Sequence, residues 1–426
     1  MPFKFLHAAD IHLDSPLLRL GHYDDAPSEL LRTATRQATT RLVDLALEEQ
    51  VQFVLIAGDL YDGDWDDSRT GLFMIRQLGR LQAAGIPVFV IAGNHDAASR
   101  MTQNLPLPAN VHSFSTRRGE TRKLDDCRVA IHGQSFAKAA VTDNLVRQYP
   151  AAVPGYFNIG LLHTSLDGRE GHANYAPCTL ADLRAKGYDY WALGHIHQRE
   201  VVATDPYVVY PGNLQGRHIR ETGAKGALLV TADVGETPQV EFHDLDVVRW
   251  ERLLIDATSA DTVDELTSTT LDELTRLRRQ HDGLPLAVRI EVSGDCPCAA
   301  ALLARRSQWE SDLRSYARHD GRDDVWIEKV RLRIEPPRVS QVEESLDGPL
   351  AEVFQRIGHY LTEPHVLEEL AAELREMVDK IPDELKQVDE GGIGTREWLT
   401  SLVSGLEPLL QARLNPTSPG AGEGRR

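Results

Sequence analysis

The stretch Ile86-Pro87-Val88-Phe89-Val90-Ile91-Ala92-Gly93-Asn94-His95-Asp96 decides the fold. Its first seven residues are an apolar run rich in β-branched side chains, which predicts a short buried strand. A glycine and three polar side chains that are able to bind metal ions follow the strand. In open α/β sheets, sites form just beyond the carboxyl ends of the strands. The stretch therefore predicts a functional site at one edge of a parallel sheet.

Two earlier segments end in the same way. Residues 3–9 predict a strand that leads to Asp10 and His12, and residues 52–57 predict one that leads to Asp59. The i, i+2 spacing of Asp10 and His12 places both side chains on one face of an extended backbone, so that both reach one ion. Each of these strands is thus followed by side chains of metal-binding type.

Two amphipathic helices are predicted between the three strands. Apolar residues recur at helical spacing from about 28 to 50 and from about 67 to 84, and Ser28 is the predicted N-cap of the first helix. The first hundred residues therefore predict a β-α-β-α-β arrangement, which is typical of a parallel sheet with its chemistry at one edge.

Two later strands end in histidines. Residues 157–162 run into His163, and residues 188–193 run into His195 and His197, which form a second i, i+2 pair. Further strands are predicted at about 199–203, 207–210, 226–231 and 238–243. Two facing sheets with helices outside accommodate this order of elements.

The second half of the chain has a different character. Residues 246–337 predict a separate small α/β domain, and residues 338–414 predict an acidic helical region. Within the latter, positions 341–390 hold 14 Asp+Glu against 4 Lys+Arg. Residues 415–426 are rich in Pro, Gly and Ser and predict a disordered tail.

Composition places the chain among cytoplasmic globular proteins. No apolar run reaches the length of a membrane span, and Met1-Pro2-Phe3-Lys4 leads into a strand instead of a signal peptide. The four cysteines, Cys127, Cys178, Cys296 and Cys298, are too few for a disulfide framework, and we expect reduced thiols. We therefore expect no contact with a membrane.

Charge argues against a broad nucleic-acid-binding face. The formal net charge is −18, of which residues 1–245 contribute −6 and residues 246–426 contribute −12. A nucleic acid would have to be held by metal ions and by local clusters of basic residues, and two such clusters are present. They are Arg117, Arg118, Arg122 and Lys123, and Arg217, His218 and Arg220.

Each basic cluster has two interpretations. Either cluster fits contacts to a phosphate backbone. The alternative for Arg117 and its neighbours is a solvated surface loop. We favour phosphate contact for the cluster at Arg217, because Pro211-Gly212-Asn213 should place it near the metal-binding side chains.

The ligand types at the strand ends favour particular metals. The set offers carboxylate, imidazole and amide groups, a mixture that suits Mn²⁺, Fe²⁺ or Zn²⁺ better than Ca²⁺ or Mg²⁺. Its members are Asp10, His12, Asp59, Asn94, His95, Asp96, His163, His195 and His197. Any one histidine or aspartate alone would more often be a surface residue, a turn residue or a helix cap. The recurrence at five strand ends favours a metal site.

Two ions could share such a set. Seven ligands from this set can hold two ions if one of them binds both. Asp59, which stands alone after its strand, fits the role of this bridging ligand. Two ions roughly 3.5–4 Å apart generate a nucleophile at neutral pH and stabilise the attacking and leaving oxygens of a phosphoryl transfer.

The order of these blocks resembles the signature of the calcineurin-like metallophosphoesterases. The blocks are Asp10-Ile11-His12, Gly58-Asp59-Leu60-Tyr61-Asp62, Gly93-Asn94-His95-Asp96, His163 and Gly194-His195-Ile196-His197. Together with HAADIHLDSPL (residues 7–17), YPGNLQGRHIRETGAKG (residues 210–226) and the added domain, they resemble the DNA-repair exonuclease branch of the SbcD and YhaO type.

The resemblance implies a fold and a set of ligands. The fold would be an α/β β-sandwich flanked by helices (αββα) over residues 1–245, followed by a small α/β capping domain and a helical C-terminal region. One ion would be held by Asp10, His12, Asp59 and His197, and the other by Asp59, Asn94, His163 and His195.

It also implies roles for residues near the ions. His95 would contact the scissile phosphate and assist the leaving oxygen, and Asp96 would orient His95. One departure from some relatives is Asp62, which stands where they carry a second phosphate-contacting histidine.

The function implied is hydrolysis of DNA by an exonuclease subunit with two divalent ions, for which Mn²⁺ is the first choice. The expected partners are DNA, a coiled-coil ATPase of the SbcC/YhaN type and a second copy of the chain. The alternatives are a phosphatase or cyclic-nucleotide phosphodiesterase acting on small substrates, and a non-catalytic scaffold. An apolar stripe in the acidic helices either docks the ATPase or packs on the protein itself. It consists of Leu350, Val353, Phe354, Ile357, Tyr360 and Leu361.

Overall fold

The protein is described by a computed structural model. The described residues are 2–15, 27–62, 68–98, 107–168, 174–281, 283–318, 324–335, 349–362, 364–380 and part of 395–410. The chain forms two compact units, each discontinuous in sequence. The first contains residues 1–252, 281–289 and 323–328, and the second contains residues 253–280, 290–322 and 329–426. The domain boundaries expected from the sequence remain a prediction.

The first unit contains most of the strands in the described residues. They are β1 (Phe3–Ala8), β2 (Phe53–Ile56), β3 (Val88–Val90), β4 (Val111–Ser113), β5 (Glu120–Leu124), β6 (Val129–Gly133), β7 (Phe157–His163), β8 (Tyr190–Gly194), β9 (Glu200–Thr204), β10 (Tyr207–Tyr210), β11 (Gly226–Ala232) and β12 (Gln239–Asp244). Its helices are α1 (Ser28–Glu48), α2 (Ser68–Ala83), α3 (Asn94–Ala98) and α4 (Leu180–Arg184), and Leu145–Gln148 is a 3₁₀-helix.

The twelve strands form two six-stranded sheets within the described residues. The first sheet has the order β12-β11-β1-β2-β3-β4, and β1 to β4 run parallel to one another. The second has the order β5-β6-β7-β8-β10-β9, and β6, β7, β8 and β10 run parallel. The carboxyl ends of four parallel strands thus meet at one edge of each sheet.

Aromatic side chains fill the space between the two sheets. Phe5 and Phe53 of the first sheet stack with ring centroids 4.9 Å apart, and Phe5 meets Tyr190 of the second sheet edge-on at 5.4 Å. Alternate residues on the same strands, such as Leu6 and Val54, pack instead against α1 and α2. This alternation confirms the predicted layers, with helices outside two facing sheets.

The start of α1 differs from the prediction. The helix begins at Ser28 itself, and Pro27 occupies the N-cap position without a side-chain hydrogen bond. Ser28 is therefore the first helical residue and not the cap, because a capping residue must lie outside the helical conformation. The negative charge of Glu29 in the first turn still interacts favourably with the positive end of the helix dipole.

The chain after residue 248 forms a third sheet and further helices. The sheet has the order β13-β14-β15, made of Arg249–Asp256, Leu286–Asp295 and Val325–Glu335. The helices are α5 (Val263–Gln280), α6 (Ala299–Ala304), α7 (Arg306–Ala317), α8 (Pro349–Thr362) and α9 (Pro364–Asp379). Arg305 separates α6 from α7.

The predicted apolar stripe packs in part on the protein itself. Ile357 is buried against Leu367 and Leu399, and Tyr360 packs on the same cluster, so these two side chains serve the protein's own core. Val353 is exposed. The side chains of Leu350, Phe354 and Leu361, and the tail 415–426, lie outside the described residues. No helix in the described part of the chain is long and apolar enough to cross a membrane.

Candidate metal centre

The predicted ligands meet where the carboxyl edges of the two sheets come together. The backbone N–H of His195, after β8, donates to both carboxylate oxygens of Asp10, after β1, at 3.1 and 3.0 Å. The Nδ1 of His163, at the end of β7, lies 2.9 Å from the carbonyl oxygen of Ala57, after β2. These contacts connect the strand ends of one sheet to those of the other.

One group of ligand atoms contains Asp10, His12 and His197, all within 4.8 Å of one another. The Nε2 atoms of His12 and His197 lie 3.2 Å apart, and His197 Nε2 lies 4.0 Å from Asp10 Oδ1. Two ligands that share an ion at about 2.1 Å each lie roughly 3–3.5 Å apart. The spacing of the two imidazoles fits a shared ion.

A second group contains Asp59, His163 and His195, again within 4.8 Å of one another. His163 Nε2 lies 3.4 Å from Asp59 Oδ2 and 3.0 Å from Asn94 Oδ1. The aspartate, both histidines and the amide predicted for the second ion therefore come together.

Asp59 lies between the two groups. Its Oδ2 is 3.4 Å from His163 Nε2 and 3.9 Å from His12 Nε2, and the carboxylate is almost fully buried. The same oxygen therefore faces ligands of both groups, as a bridging carboxylate would.

The hydrogen bonds of His163 test whether the site fits a cation. The Ala57 carbonyl only accepts, so His163 Nδ1 must donate to it. In the neutral imidazole, Nε2 then carries a lone pair, which points at the Asn94 and Asp59 oxygens. Three acceptors facing one another in a buried site repel unless a cation lies between them. The residues present therefore fit a divalent ion.

Ionisation at the site reflects the same demand for positive charge. Burial opposes the charged form of His163, but the charge and hydrogen bond of Asp59, together with Asp10 and the Ala57 carbonyl, outweigh burial and raise the His163 pKa to about 9. Burial likewise raises the pKa of Asp10 to about 6, against the opposing effect of His197. A proton on His163 takes the place of a metal ion in neutralising the carboxylates.

The backbone at the site is strained. Asp10, His12 and Asp59 have φ values of 50, 45 and 50°, and His195 has a φ of 101°. Left-handed conformations of non-glycine residues cost of order 1–3 kcal/mol each and cluster at functional sites. At these strand ends they turn ligand side chains toward the same point.

Two motif glycines leave room for the ligands. A Cβ on Gly58 would lie 2.5 Å from His163 Nδ1, and a Cβ on Gly93 would lie 2.9 Å from Asp59 Cγ. Both distances are shorter than real Cβ contacts. The glycines of the Gly-Asp and Gly-Asn-His-Asp blocks are thus required by the packing around the ligands.

The partner of His95 corrects a prediction. Asp96 was expected to orient His95, but His95 Nδ1 lies 2.7 Å from Asp62 Oδ1. The buried Asp96 carboxylate accepts the backbone N–H groups of Leu60, Tyr61 and Gly93 instead. Asp96 therefore joins two motif loops, and Asp62 orients His95. The backbone N–H of His95 donates to Asp59 Oδ1 at 2.9 Å.

Comparison with known proteins identifies the family. Residues 3–199 match the family described as calcineurin-like phosphoesterase, and residues 250–335 match that described as metallophosphoesterase YhaO, middle domain. The chain is 39% identical over 332 residues to an uncharacterized metallophosphoesterase, YhaO of Bacillus subtilis. The aligned region covers 77% of this chain and 80% of that protein.

The chain belongs to the calcineurin-like metallophosphoesterases. Two archaeal relatives are named DNA double-strand break repair protein Mre11. That of Sulfurisphaera tokodaii is 26% identical over 66% of this chain and 70% of its own length. That of Sulfolobus acidocaldarius is 23% identical over 84% of this chain and 91% of its own length. The family hydrolyses phosphoesters with two divalent metal ions, and the two His/Asp groups fit such a site.

This metallophosphoesterase holds His197 with an acid that sequence reasoning missed. Glu221 Oε1 lies 2.7 Å from His197 Nδ1, and Glu221 Oε2 accepts from Asn213 Nδ2 at 2.9 Å. The carboxylate fixes the imidazole so that Nε2 faces the ion site, a common arrangement for histidine ligands. Glu221 lies within the stretch 210–226 that carried the family resemblance, but nothing in its spacing connects it to His197.

The structure separates the basic residues predicted to contact nucleic acid. Arg217 points inward and pairs with Asp62 and Glu221. Arg117, Arg118 and Arg220 are exposed, and their side chains form no ion pair within the described residues. Ser115, two residues before Arg117, accepts from the backbone N–H of Ser135. This places Arg117 and Arg118 at the edge of the sheet that carries His163.

Proposed function

We propose that the protein is a two-metal phosphodiesterase that hydrolyses DNA as an exonuclease subunit in DNA repair. The observation that carries the proposal is the position of Asp59, whose single Oδ2 faces both groups of ligands. The choice of DNA is supported by the Mre11 relatives, whose names record repair of DNA double-strand breaks.

We assign the ligands of each ion from the two groups. Asp10, His12, Asp59 and His197 would hold one ion, and Asp59, Asn94, His163 and His195 the other. When bound, the ions would neutralise charge on the phosphoryl group and lower the pKa of the attacking water. The mixture of imidazole, amide and carboxylate groups favours Mn²⁺, with Fe²⁺ and Zn²⁺ as alternatives.

We infer that His95 donates a proton to the substrate. Its side chain is 42% exposed beside buried ligands, and the hydrogen bond to Asp62 raises its pKa above the usual value. With Nδ1 donating to Asp62, Nε2 is directed elsewhere and carries the proton of the imidazolium. We infer that this N–H binds a phosphate oxygen and assists the leaving oxygen.

Three exposed arginines provide contacts for the DNA backbone. Arg117, Arg118 and Arg220 lie on the unit that carries the metal centre. In a chain with a net charge of −18, local positive groups of this kind have to supply the attraction to phosphates.

We infer that the helical C-terminal region binds a coiled-coil ATPase of the SbcC/YhaN type. Exposed apolar side chains on its helices, including Val353 and Met377, support this inference. Replacement of either by glutamate should weaken binding of the ATPase to the full chain without unfolding it. We also propose a cytoplasmic location and a homodimer; light scattering tests the latter.

The proposal is tested by hydrolysis of end-labelled duplex DNA with Mn²⁺, alone and with the ATPase. Wild type should release nucleotides, whereas Asp59→Ala should bind less metal and be inactive. His95→Ala should keep both ions and lose turnover, because His95 is not assigned as a ligand.

A small aryl phosphodiester provides the matched substrate. An enzyme that turns over the aryl ester but leaves DNA intact even with the ATPase would be a small-molecule phosphoesterase. Full DNA hydrolysis by Asp59→Ala would show that the two groups do not form the active site.

A further inference from the structure

Arg217 is a largely buried guanidinium held between two acids. Its side chain is 15% exposed. Nη1 lies 3.4 Å from Asp62 Oδ2, and Nη2 lies 3.0 Å from Glu221 Oε1. The backbone N–H of Arg217 also donates to Glu221 Oε2 at 2.8 Å. The residue thus contacts both acids at once.

Each of these acids orients a histidine of the active site. Asp62 lies 2.7 Å from His95 Nδ1, and Glu221 lies 2.7 Å from His197 Nδ1. His95 is the proposed phosphate contact, and His197 is a proposed ligand of one ion. A continuous chain of polar contacts therefore runs from His95 through Asp62, Arg217 and Glu221 to His197.

The geometry requires an arginine. The planar guanidinium presents donors on separate nitrogens, so that different atoms reach Asp62 and Glu221. A lysine places one compact charge and cannot reproduce both contacts in fixed positions. Loss of the cation would take one charged partner from Asp62 and one from Glu221, each of which also pairs with a histidine.

The partners of Arg217 differ from those of Arg220, three residues later. The Arg220 side chain is exposed and forms no ion pair in the described part of the chain. Arg217 already satisfies two carboxylates and would have to break these contacts to bind a phosphate. Arg217 and Arg220 thus have different surroundings, although they are only three residues apart.

We propose that Arg217 is a positioning residue that fixes His95 relative to the metal ligand His197 through Asp62 and Glu221. The inference rests on the proposed phosphodiesterase function. It removes Arg217 from the set of DNA contacts and leaves Arg220 in that set.

The test compares Arg217→Gln and Arg217→Lys with Arg220→Gln as the matched control. Turnover is measured on duplex DNA and on bis(p-nitrophenyl) phosphate, Mn²⁺ binding by calorimetry, and DNA affinity against salt without Mn²⁺. Both Arg217 variants should lose about 10–100-fold in kcat on both substrates, as is usual for groups behind metal ligands, and bind Mn²⁺ more weakly. Their DNA affinity and its salt dependence should stay unchanged.

The control should show the opposite behaviour. Arg220→Gln should keep kcat on the aryl ester and its Mn²⁺ affinity, but bind DNA more weakly with a salt slope reduced by about one. Wild-type kcat and Mn²⁺ affinity in Arg217→Lys would overturn the proposal. So would an Arg217→Gln variant in which only DNA affinity changes.

A double-mutant cycle guards against a general loss of structure. Asp62→Asn and Arg217→Gln should together cost less than the product of their separate losses in kcat, because both act through His95. A combined loss equal to that product would refute the connection. If wild type hydrolyses only the aryl ester, the DNA proposal fails while the cycle still decides the role of Arg217. If wild type hydrolyses neither substrate, the role of Arg217 is decided by whether the Arg217 variants bind Mn²⁺ more weakly than wild type.

Discussion

Replacement of Gly93 by alanine should disable the metal centre by displacing one carboxylate. A Cβ at this position would lie 2.8 Å from the backbone N of Asp59 and 2.9 Å from its Cγ. Comfortable contacts between carbon atoms are about 3.5–4.0 Å, so Asp59 or the Gly93 loop must move by roughly 0.6–1 Å. Because Asp59 Oδ2 faces both groups of ligands, the shift disturbs both ions.

The expected effect follows from that displacement. Misplacement of a reacting group by about 1 Å costs on the order of 100-fold in rate, and forced overpacking costs about 1–3 kcal/mol of stability. We expect Gly93→Ala to bind Mn²⁺ more weakly in calorimetry and to lose about 100-fold in kcat on an aryl phosphodiester. Thermal unfolding shows how much of the loss is due to stability.

Gly79→Ala is the matched control. Gly79 lies in α2, and a Cβ there meets no atom within 4 Å. The change should leave kcat and Mn²⁺ binding unaltered and raise stability by about 0.5–1 kcal/mol, since alanine is the better helix former. If Gly93→Ala kept wild-type turnover and both ions, the position of Asp59 would not require a glycine at position 93.

Three further predictions concern charge and metal. Asp62→Asn removes the carboxylate that raises the His95 pKa, so the fall in kcat at high pH should begin at a lower pH than in wild type. A fall at the same pH as in wild type would exclude His95 as the acid. Burial lowers the pKa of His7 to about 3, below its unfolded value of about 6.5. The stability that neutral His7 contributes is complete above pH 6.5 and is lost as the pH falls toward 3, by about 2 kcal/mol at pH 5. Urea unfolding at pH 7 and pH 5 should show this loss in wild type and not in His7→Gln, and equal losses would contradict it. Mn²⁺ at 100 times its Kd should add about 2.7 kcal/mol to the unfolding free energy, and EDTA should remove this gain. Asp59→Ala should show little of the gain, and an equal gain in that variant would contradict the assignment of Asp59 as a metal ligand.

Much of the fold was predictable because its signals are local. Apolar runs and helical spacing predicted nine of the twelve strands described in the first unit, and its helices α1 and α2, to within a few residues, including the parallel order of β1, β2 and β3. The error at Ser28 is also local, since a serine at a helix start looks the same in sequence whether it is the cap or the first helical residue.

The site was predictable in its members but not in all of its contacts. Asp62 and Asp96 are both acids inside recognised motifs, and spacing alone did not tell which one meets His95. The choice depends on the turn after Asp59, where a φ of 50° redirects the chain and places Asp62 beside His95 while Asp96 receives backbone N–H groups.

The arginines and Glu221 show the same limit. Arg217 and Arg220 stand three residues apart in a segment without regular secondary structure, where no period predicts which side chain turns inward. Glu221 is 24 residues from His197 and reaches it only because the chain returns to the carboxyl edge of the second sheet.

The sequence by itself determined which residue types follow which strands, because the apolar runs that predict strands, and the ligand chemistry of a side chain, are local properties of the sequence. It thereby determined the fold class and the family. Only the tertiary structure decided which strand ends face each other, which acid holds which histidine, and that Asp59 serves both groups. Those relations depend on how the two sheets pack around Phe5, Phe53 and Tyr190, and on turns that carry the chain from one sheet edge to the other.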